Sequence, residues 1–243
     1  MRITRFYCPE NLAPGARVAL PKEAAHHAIR VLRLAVDAPL VLFNGDGREY
    51  HGRMLRIEKQ EAVVLIESVH EVSRESPLAV TLVQGISSGD RMDYTLQKAV
   101  ELGVNAIQPI AAERSLVKLA GERADKRLAH WQAVVVSACE QCGRNVVPVV
   151  APVLRLPEWL ARQSSGSGLR ILLSPEAEHR LAQLDPAAAL TLAVGPEGGF
   201  SDNEHTLLAN ANFSGMRLGP RILRTETAAV AALAVLQSLR GDF

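Results

Sequence analysis

With 243 residues, 48% hydrophobic and 22% charged, the chain has a globular composition and can build one large domain or two modest ones. A formal charge of +1 excludes a basic field over the whole surface. The longest apolar runs, such as AAVAALAVL at 228–236, fall short of the ~20 residues that span a bilayer. MRITRFYCPE at the N-terminus has no apolar signal core, so a cytoplasmic protein with no membrane partner is expected.

Residues 1–72 read as short strands separated by turns: RITRFYC (2–8), ARVALP (16–21), APLVLFNGDG (38–47), REYHGRMLRI (48–57) and AVVLIESV (62–69). NGDG at 44–47 is a hairpin turn, because Asn and Gly tolerate positive φ. A helix over KEAAHHAIRVLRL (22–34) interrupts them, and a small, mostly antiparallel barrel or sandwich is expected. Residues 1–34 hold six cations (Arg2, Arg5, Arg17, Lys22, Arg30, Arg33) against Glu10 and Glu23, either a gripping surface or a solvated face.

From residue 73 the pattern changes to alternating strands and helices. LAVTLVQGI (78–86) precedes helical DRMDYTLQKAVELG (90–103), AIQPIAA (106–112) and a long helix over about 122–143. VPVVAPVL, LPEWLARQ, LRILLSP, LTLAVGP, helical SDNEHTLLANA, MRLGP and a final helix over about 225–239 follow. Such alternation predicts a parallel sheet covered on both faces. QSSGSG (163–168) reads as a flexible surface connection. Cys139 and Cys142 form a lone C-x-x-C at a helix end, with no second pair to complete a zinc site. With Cys8 they read as small buried hydrophobes in a reducing compartment.

Two loops stand out. GPEGG (195–199) joins strand LTLAV to a helix headed by Ser201, with Glu204 three residues on, as in a capping box. GPRILR (219–224) joins MRL to the last helix, for which Thr225 is a plausible N-cap and Glu226 a first-turn acid. Apolar Ile222 and Leu223 between arginines make poor surface unless they line a pocket. Ligands of parallel sheets sit beyond the carboxyl ends of strands. There is no P-loop, dinucleotide fingerprint, serine elbow or metal cluster. The residues alone therefore reach a pocket for a flat, uncharged or zwitterionic ligand beside arginines.

GPEGGFS (195–201) with LGPRILRTETA (218–228) resembles the paired C-terminal motifs of the bacterial 16S ribosomal RNA uridine-N3 methyltransferases, the RsmE family of the SPOUT superfamily. QKAVELGV (97–104), ERS (113–115), ACEQCGRNVVP (138–148) and HHAIRVLRL (26–34) extend the resemblance over nearly the whole chain. It implies an N-terminal PUA-like β-barrel domain over 1–72 for RNA. Over 73–243 it implies an α/β methyltransferase domain with a parallel sheet and a trefoil knot. It also implies S-adenosylmethionine as cofactor, a homodimer, and 16S ribosomal RNA or the small ribosomal subunit as partner, methylated at N3 of a uridine in the decoding region.

Carried over residue by residue, the resemblance puts Leu173, Val194, Gly195, Pro196, Glu197, Gly198, Gly199, Leu218, Gly219, Pro220, Ile222, Leu223 and Thr225 at the cofactor. Side chains at 198 and 199 are expected to collide with it. The final helix is expected to pack its own sheet on one side and a partner subunit on the other. Arg221 and Arg224 are candidates for polarising the uracil carbonyls, with Glu197 and Glu226 nearby. Arg2, Arg5, Arg30, Arg33 and Arg144 are candidates for RNA backbone, Arg30 and Arg33 as neighbours on one helix. Arg144 can equally end its helix favourably. A non-catalytic RNA-binding assembly factor of the same fold is the alternative, as is an α/β enzyme using another adenosyl ligand.

Overall fold

The computed structural model describes residues 3–119, 121–163, 168–183 and 188–243. Arg2 and most of the 163–168 connection therefore lie outside the described residues. The chain forms two compact units: Met1–Glu75 with Cys139–Val147, and Ser76–Ala138 with Pro148–Phe243. The change of pattern at 72/73 thus falls close to the first crossing between units. The return of 139–147 to the first unit leaves no trace in periodicity, because a helix runs straight through it.

In the first unit, β1 (Thr4–Tyr7), β2 (Arg17–Ala19), β3 (Pro39–Phe43), β4 (Arg48–Ile57) and β5 (Ala62–Glu71) form a five-stranded sheet in the order β1-β3-β4-β5-β2. All pairs are antiparallel except β1 with β3. Alternation in β5 sends Ala62, Val64 and Ile66 into the core, with Phe6, Leu42, Tyr50 and Met54. The helix between β2 and β3 is shorter than its sequence predicts: α1 (Lys22–His26) passes into a π-helical turn, His27–Val31. Arg33 lies beyond it at φ 52, so Arg30 and Arg33 do not share a helical face.

The second unit holds β6 (Ala79–Gly85), α2 (Asp90–Glu101), β7 (Ala106–Ile110) and α3 (Glu122–Cys142), whose last turn belongs to the first unit. Then come β8 (Val149–Val150), α4 (Leu156–Ala161), β9 (Leu169–Leu173), β10 (His179–Arg180), β11 (Ala189–Val194), α5 (Asp202–Asn210), β12 (Ser214–Arg217) and α6 (Thr225–Arg240). The seven strands form one parallel sheet, β10-β12-β9-β11-β6-β7-β8. Central β6 and β11 are nearly continuous apolar runs, as strands buried on both faces must be. From β6 the chain builds outward through β7 and β8, then returns to build on the other side of β11. The order reverses between β6 and β11, where open parallel sheets leave a crevice for ligands. No helix among the described residues is long and apolar enough to cross a membrane.

Candidate active site

A cavity of about 610 Å³ opens beyond the carboxyl ends of β9, β11 and β12. Its walls come from four connections: Ser174 and Pro175 after β9, 195–199 after β11, the segment from Leu218 into α6, and Arg91 at the head of α2. Of the residues expected at the cofactor, all but Pro220 line it; Pro220 is exposed and stays out of the wall. Arg221 and Arg224 line it too.

Local chemistry places the first loop. Ser201 caps α5: its hydroxyl accepts from Glu204 N–H at 3.1 Å, and Glu204 accepts from Ser201 N–H at 2.9 Å. Glu204 Oε1 also accepts from Glu113 N–H at 3.0 Å, tying α5 to the 113–115 turn. Gly199 takes φ +68 in open space, so the turn itself requires glycine there. At Gly198 a Cβ would lie 3.1 Å from Arg114 Cβ and 3.2 Å from the Arg114 carbonyl oxygen, so the neighbouring turn already crowds that position.

Glu197 reaches beyond its own turn. Its Oε1 accepts from Ser88 N–H (2.8 Å), Ser88 O–H (2.7 Å) and Arg91 (3.0 Å), which pins the glycine loop to the start of α2. Burial alone would raise its pKa. The Ser88 donors and Arg91 outweigh that and hold the carboxyl below the usual carboxylate range.

The second loop closes on the first through Thr225. Sequence reading made Thr225 the N-cap of α6, but Arg224 takes that position and has no side-chain capping bond. The Thr225 hydroxyl instead donates to Gly195 C=O at 2.6 Å and accepts from the Gln84 amide at 3.0 Å. Gln84 is fully buried at the end of β6, and a Cβ on the adjacent Gly85 would run into Pro196. The end of β6 therefore seats both loops.

Sequence reading missed Arg91, Ser174, Pro175 and Met216 as wall residues. Their signal was present, since each sits at or near the end of a strand of the parallel sheet or at the helix that follows. Arg217 also lines the wall. Glu226 is half-buried in the wall, and its Oε2 is shut off from solvent with no hydrogen-bond donor among the described residues.

Two of the candidate RNA contacts are corrected by their surroundings. Arg5 has an 8% exposed side chain, pairs with Glu49 at 2.6 Å, donates to Asn145 at 2.5 Å and lies over the Phe43 ring. Arg144 is buried and paired with Glu75. Both hold the first unit together instead of facing solvent, because Cys139–Val147 packs within that unit. Arg30 and Arg33 are exposed. Cys139 is buried, and burial with the neighbouring Cys142 pushes its thiol up to about 12, which makes it inert.

Two family models match the chain. A family model described as an RNA methyltransferase domain matches residues 74–237, and one described as an RNA methyltransferase PUA domain matches residues 20–67. The ribosomal RNA small subunit methyltransferase E of Buchnera aphidicola (Schizaphis graminum strain) is 34% identical over 242 residues, covering 99% of this chain and 98% of that protein. The protein of the same name from Bacillus subtilis is 30% identical, with 96% of each chain covered. Among solved structures, the ribosomal RNA small subunit methyltransferase E of Neisseria gonorrhoeae bound to S-adenosyl methionine matches with TM-score 0.92 and 45% identity over all of both chains. A Legionella pneumophila protein in complex with the cofactor SAM matches with TM-score 0.95 and 41% identity, again over all of both.

Proposed function

Since the chain belongs to the ribosomal RNA small subunit methyltransferase E family, we propose that it transfers the methyl group of S-adenosylmethionine to N3 of a uridine in the decoding region of 16S ribosomal RNA. The observation that carries this reading is the meeting of loops 195–199 and 218–223 as facing walls of one cavity, joined by Thr225. The walls fit the cofactor. Backbone groups of the glycine loop supply hydrogen bonds, and Leu173, Val194, Ile222 and Leu223 supply apolar contact. Bound there, the cofactor supplies an electrophilic methyl group on a sulfonium.

The chain's own residues do the rest. Arg221 and Arg224 are exposed in the cavity wall, and a guanidinium beside the uracil would stabilise the negative charge that builds on O2 and O4 as the N3 proton leaves. Holding both reactants in one crevice converts an encounter in solution into a reaction between neighbours. In the first unit, Arg30 and Arg33 are exposed, which leaves them available to RNA phosphates.

The reading includes a homodimer and the trefoil knot that the family resemblance implies. The second face of α6 supports the dimer: Ala231, Ala234 and Val235 are only half-buried within one chain, although all are apolar. Sedimentation at micromolar concentration tests it. The main test is mass spectrometry of 16S RNA from cells with and without this chain, together with calorimetry against S-adenosylmethionine. Loss of one N3-methyluridine on deletion is expected. An unchanged RNA, or no heat of binding, would remove the proposal.

A further inference from the structure

We propose that Glu226 recognises the imide N3–H of the target uridine and accepts its proton, an inference that rests on the reading of the site just given. The starting observation is an unanswered acceptor. Glu226 lines the cavity from the first turn of α6, and its Oε2 is buried without a donor among the described residues. Buried polar atoms are nearly always paired, so an orphan in the wall of a binding cavity points to a donor that arrives with the ligand.

The composition of the wall says which donor. Its other charged groups are Arg91, Arg217, Arg221, Arg224 and Glu197. The pairing edge of uracil reads acceptor, donor, acceptor: O4, N3–H, O2. A carboxylate with arginines in the same wall offers the complement, an acceptor among donors. Cytosine would turn an unprotonated ring nitrogen toward that carboxylate, lone pair against lone pair. The arrangement therefore selects uracil as well as activating it.

Glu197 is the rival, since its Oε2 is also buried without a partner. Its Oε1, however, is held by three donors that keep the group ionised and tether it to Ser88 and Arg91. Such a carboxylate is an anchor and a weakened base. No ion pair or side-chain hydrogen bond of this kind ties down Glu226 among the described contacts.

The step balances without a further reactant. The N3–H proton passes to the Glu226 carboxylate, and the nitrogen lone pair forms the bond to the methyl carbon. The sulfur–methyl bond breaks with its electron pair left on sulfur, which changes from sulfonium to neutral thioether. The carboxylic acid then loses its proton to water.

The test uses the full chain, labelled S-adenosylmethionine, and small ribosomal subunits from cells lacking the methylation. Wild type, Glu226→Gln and Glu226→Asp are assayed from pH 6 to 9.5, with cofactor affinity measured by calorimetry. Glu226→Gln should bind the cofactor within about twofold of wild type and turn over about 10²-fold more slowly at pH 7. Its rate should then climb about tenfold per pH unit as the uridine ionises by itself, and Glu226→Asp should recover part of the neutral-pH rate. A Glu226→Gln rate close to wild type, or one lowered in parallel at every pH, would overturn the assignment. So would loss of cofactor affinity in Glu226→Gln, which would place the carboxylate on the cofactor's ammonium group. Failure of the wild type itself to bind the cofactor would instead defeat the underlying methyltransferase reading.

Discussion

The hydroxyl of Thr225 donates to the carbonyl of Gly195 at 2.6 Å, across 30 residues of chain. One short bond thus joins the loop after β11 to the helix after β12, and Gln84 at the end of β6 donates into the same hydroxyl. Three strand ends meet at a single side chain. That junction ties together two walls of the cavity.

Thr225→Val keeps the shape of the side chain and removes both bonds. It leaves a buried carbonyl and a buried amide proton unpaired, at about 1–3 kcal/mol. The expected outcome is about tenfold weaker S-adenosylmethionine binding, with Thr225→Ser close to wild type. Calorimetry on the three proteins, with thermal melts alongside, checks this. Equal affinity in all three would mean that the junction does not set the cavity.

Arg221 and Arg224 line the cavity and are exposed on it. Alanine at either position should lower kcat about 10²-fold, as expected when one preorganised charge facing the transition state is lost. Cofactor affinity should stay within a few-fold. Single-turnover assays on small ribosomal subunits, run beside calorimetry, separate the two quantities. Unchanged turnover in both variants removes these arginines from the chemistry.

Glu49 is the charged centre of the first unit, accepting from Arg74 at 2.5 Å, from Arg5 at 2.6 Å and from His51. Burial alone would raise its pKa, but these partners bring it down to about 2. The folded pKa is below the unfolded one, so the stabilisation is complete above about pH 4.5 and is lost as pH falls toward 2. Its size is about 3 kcal/mol on the scale of 1.36 kcal/mol per pKa unit. Urea titrations of wild type and Glu49→Gln at pH 7, 5 and 3 should show nearly equal gaps at pH 7 and 5 and a gap of about half that size at pH 3. A gap that does not narrow on acidification would contradict the assignment.

Exposed and buried arginines of the first unit should behave differently. Arg30→Ala and Arg33→Ala should weaken RNA binding and flatten its salt dependence by about one counterion each, with the fold intact. Arg5→Ala should instead destabilise the protein by about 3–5 kcal/mol, because it leaves Glu49 short of a partner in a buried network. Filter binding over a salt series, set beside melting curves, tells the two classes apart. A stable Arg5→Ala protein with a reduced salt slope would restore Arg5 to the RNA surface.

Strand and helix patterns were legible where the cause was local. REYHGRMLRI became β4 over its full length, since alternation along a strand is set by neighbours two residues apart. The Ser201–Glu204 capping box could be read because its partners are three residues apart. The 22–34 helix was overread, because its apolar spacing continues past the point where the backbone turns to φ 52 at Arg33. Thr225 was misread as a cap for the opposite reason: its real partners, Gly195 and Gln84, come from other strands.

By itself, then, the sequence determined the two grammars of the chain, its capping chemistry and the two loops worth attention. Tertiary structure decided which charges are free. Arg5 and Arg144 look like Arg30 and Arg33 on paper, yet they are buried on partners contributed by distant segments. It also decided that Glu197 anchors α2 through its Oε1, 106 residues away, while Glu226 has no such tether among the described residues. The reason is one of range. Backbone periodicity is governed by neighbours a few residues away, whereas pairing and burial of a side chain depend on whatever the fold brings beside it.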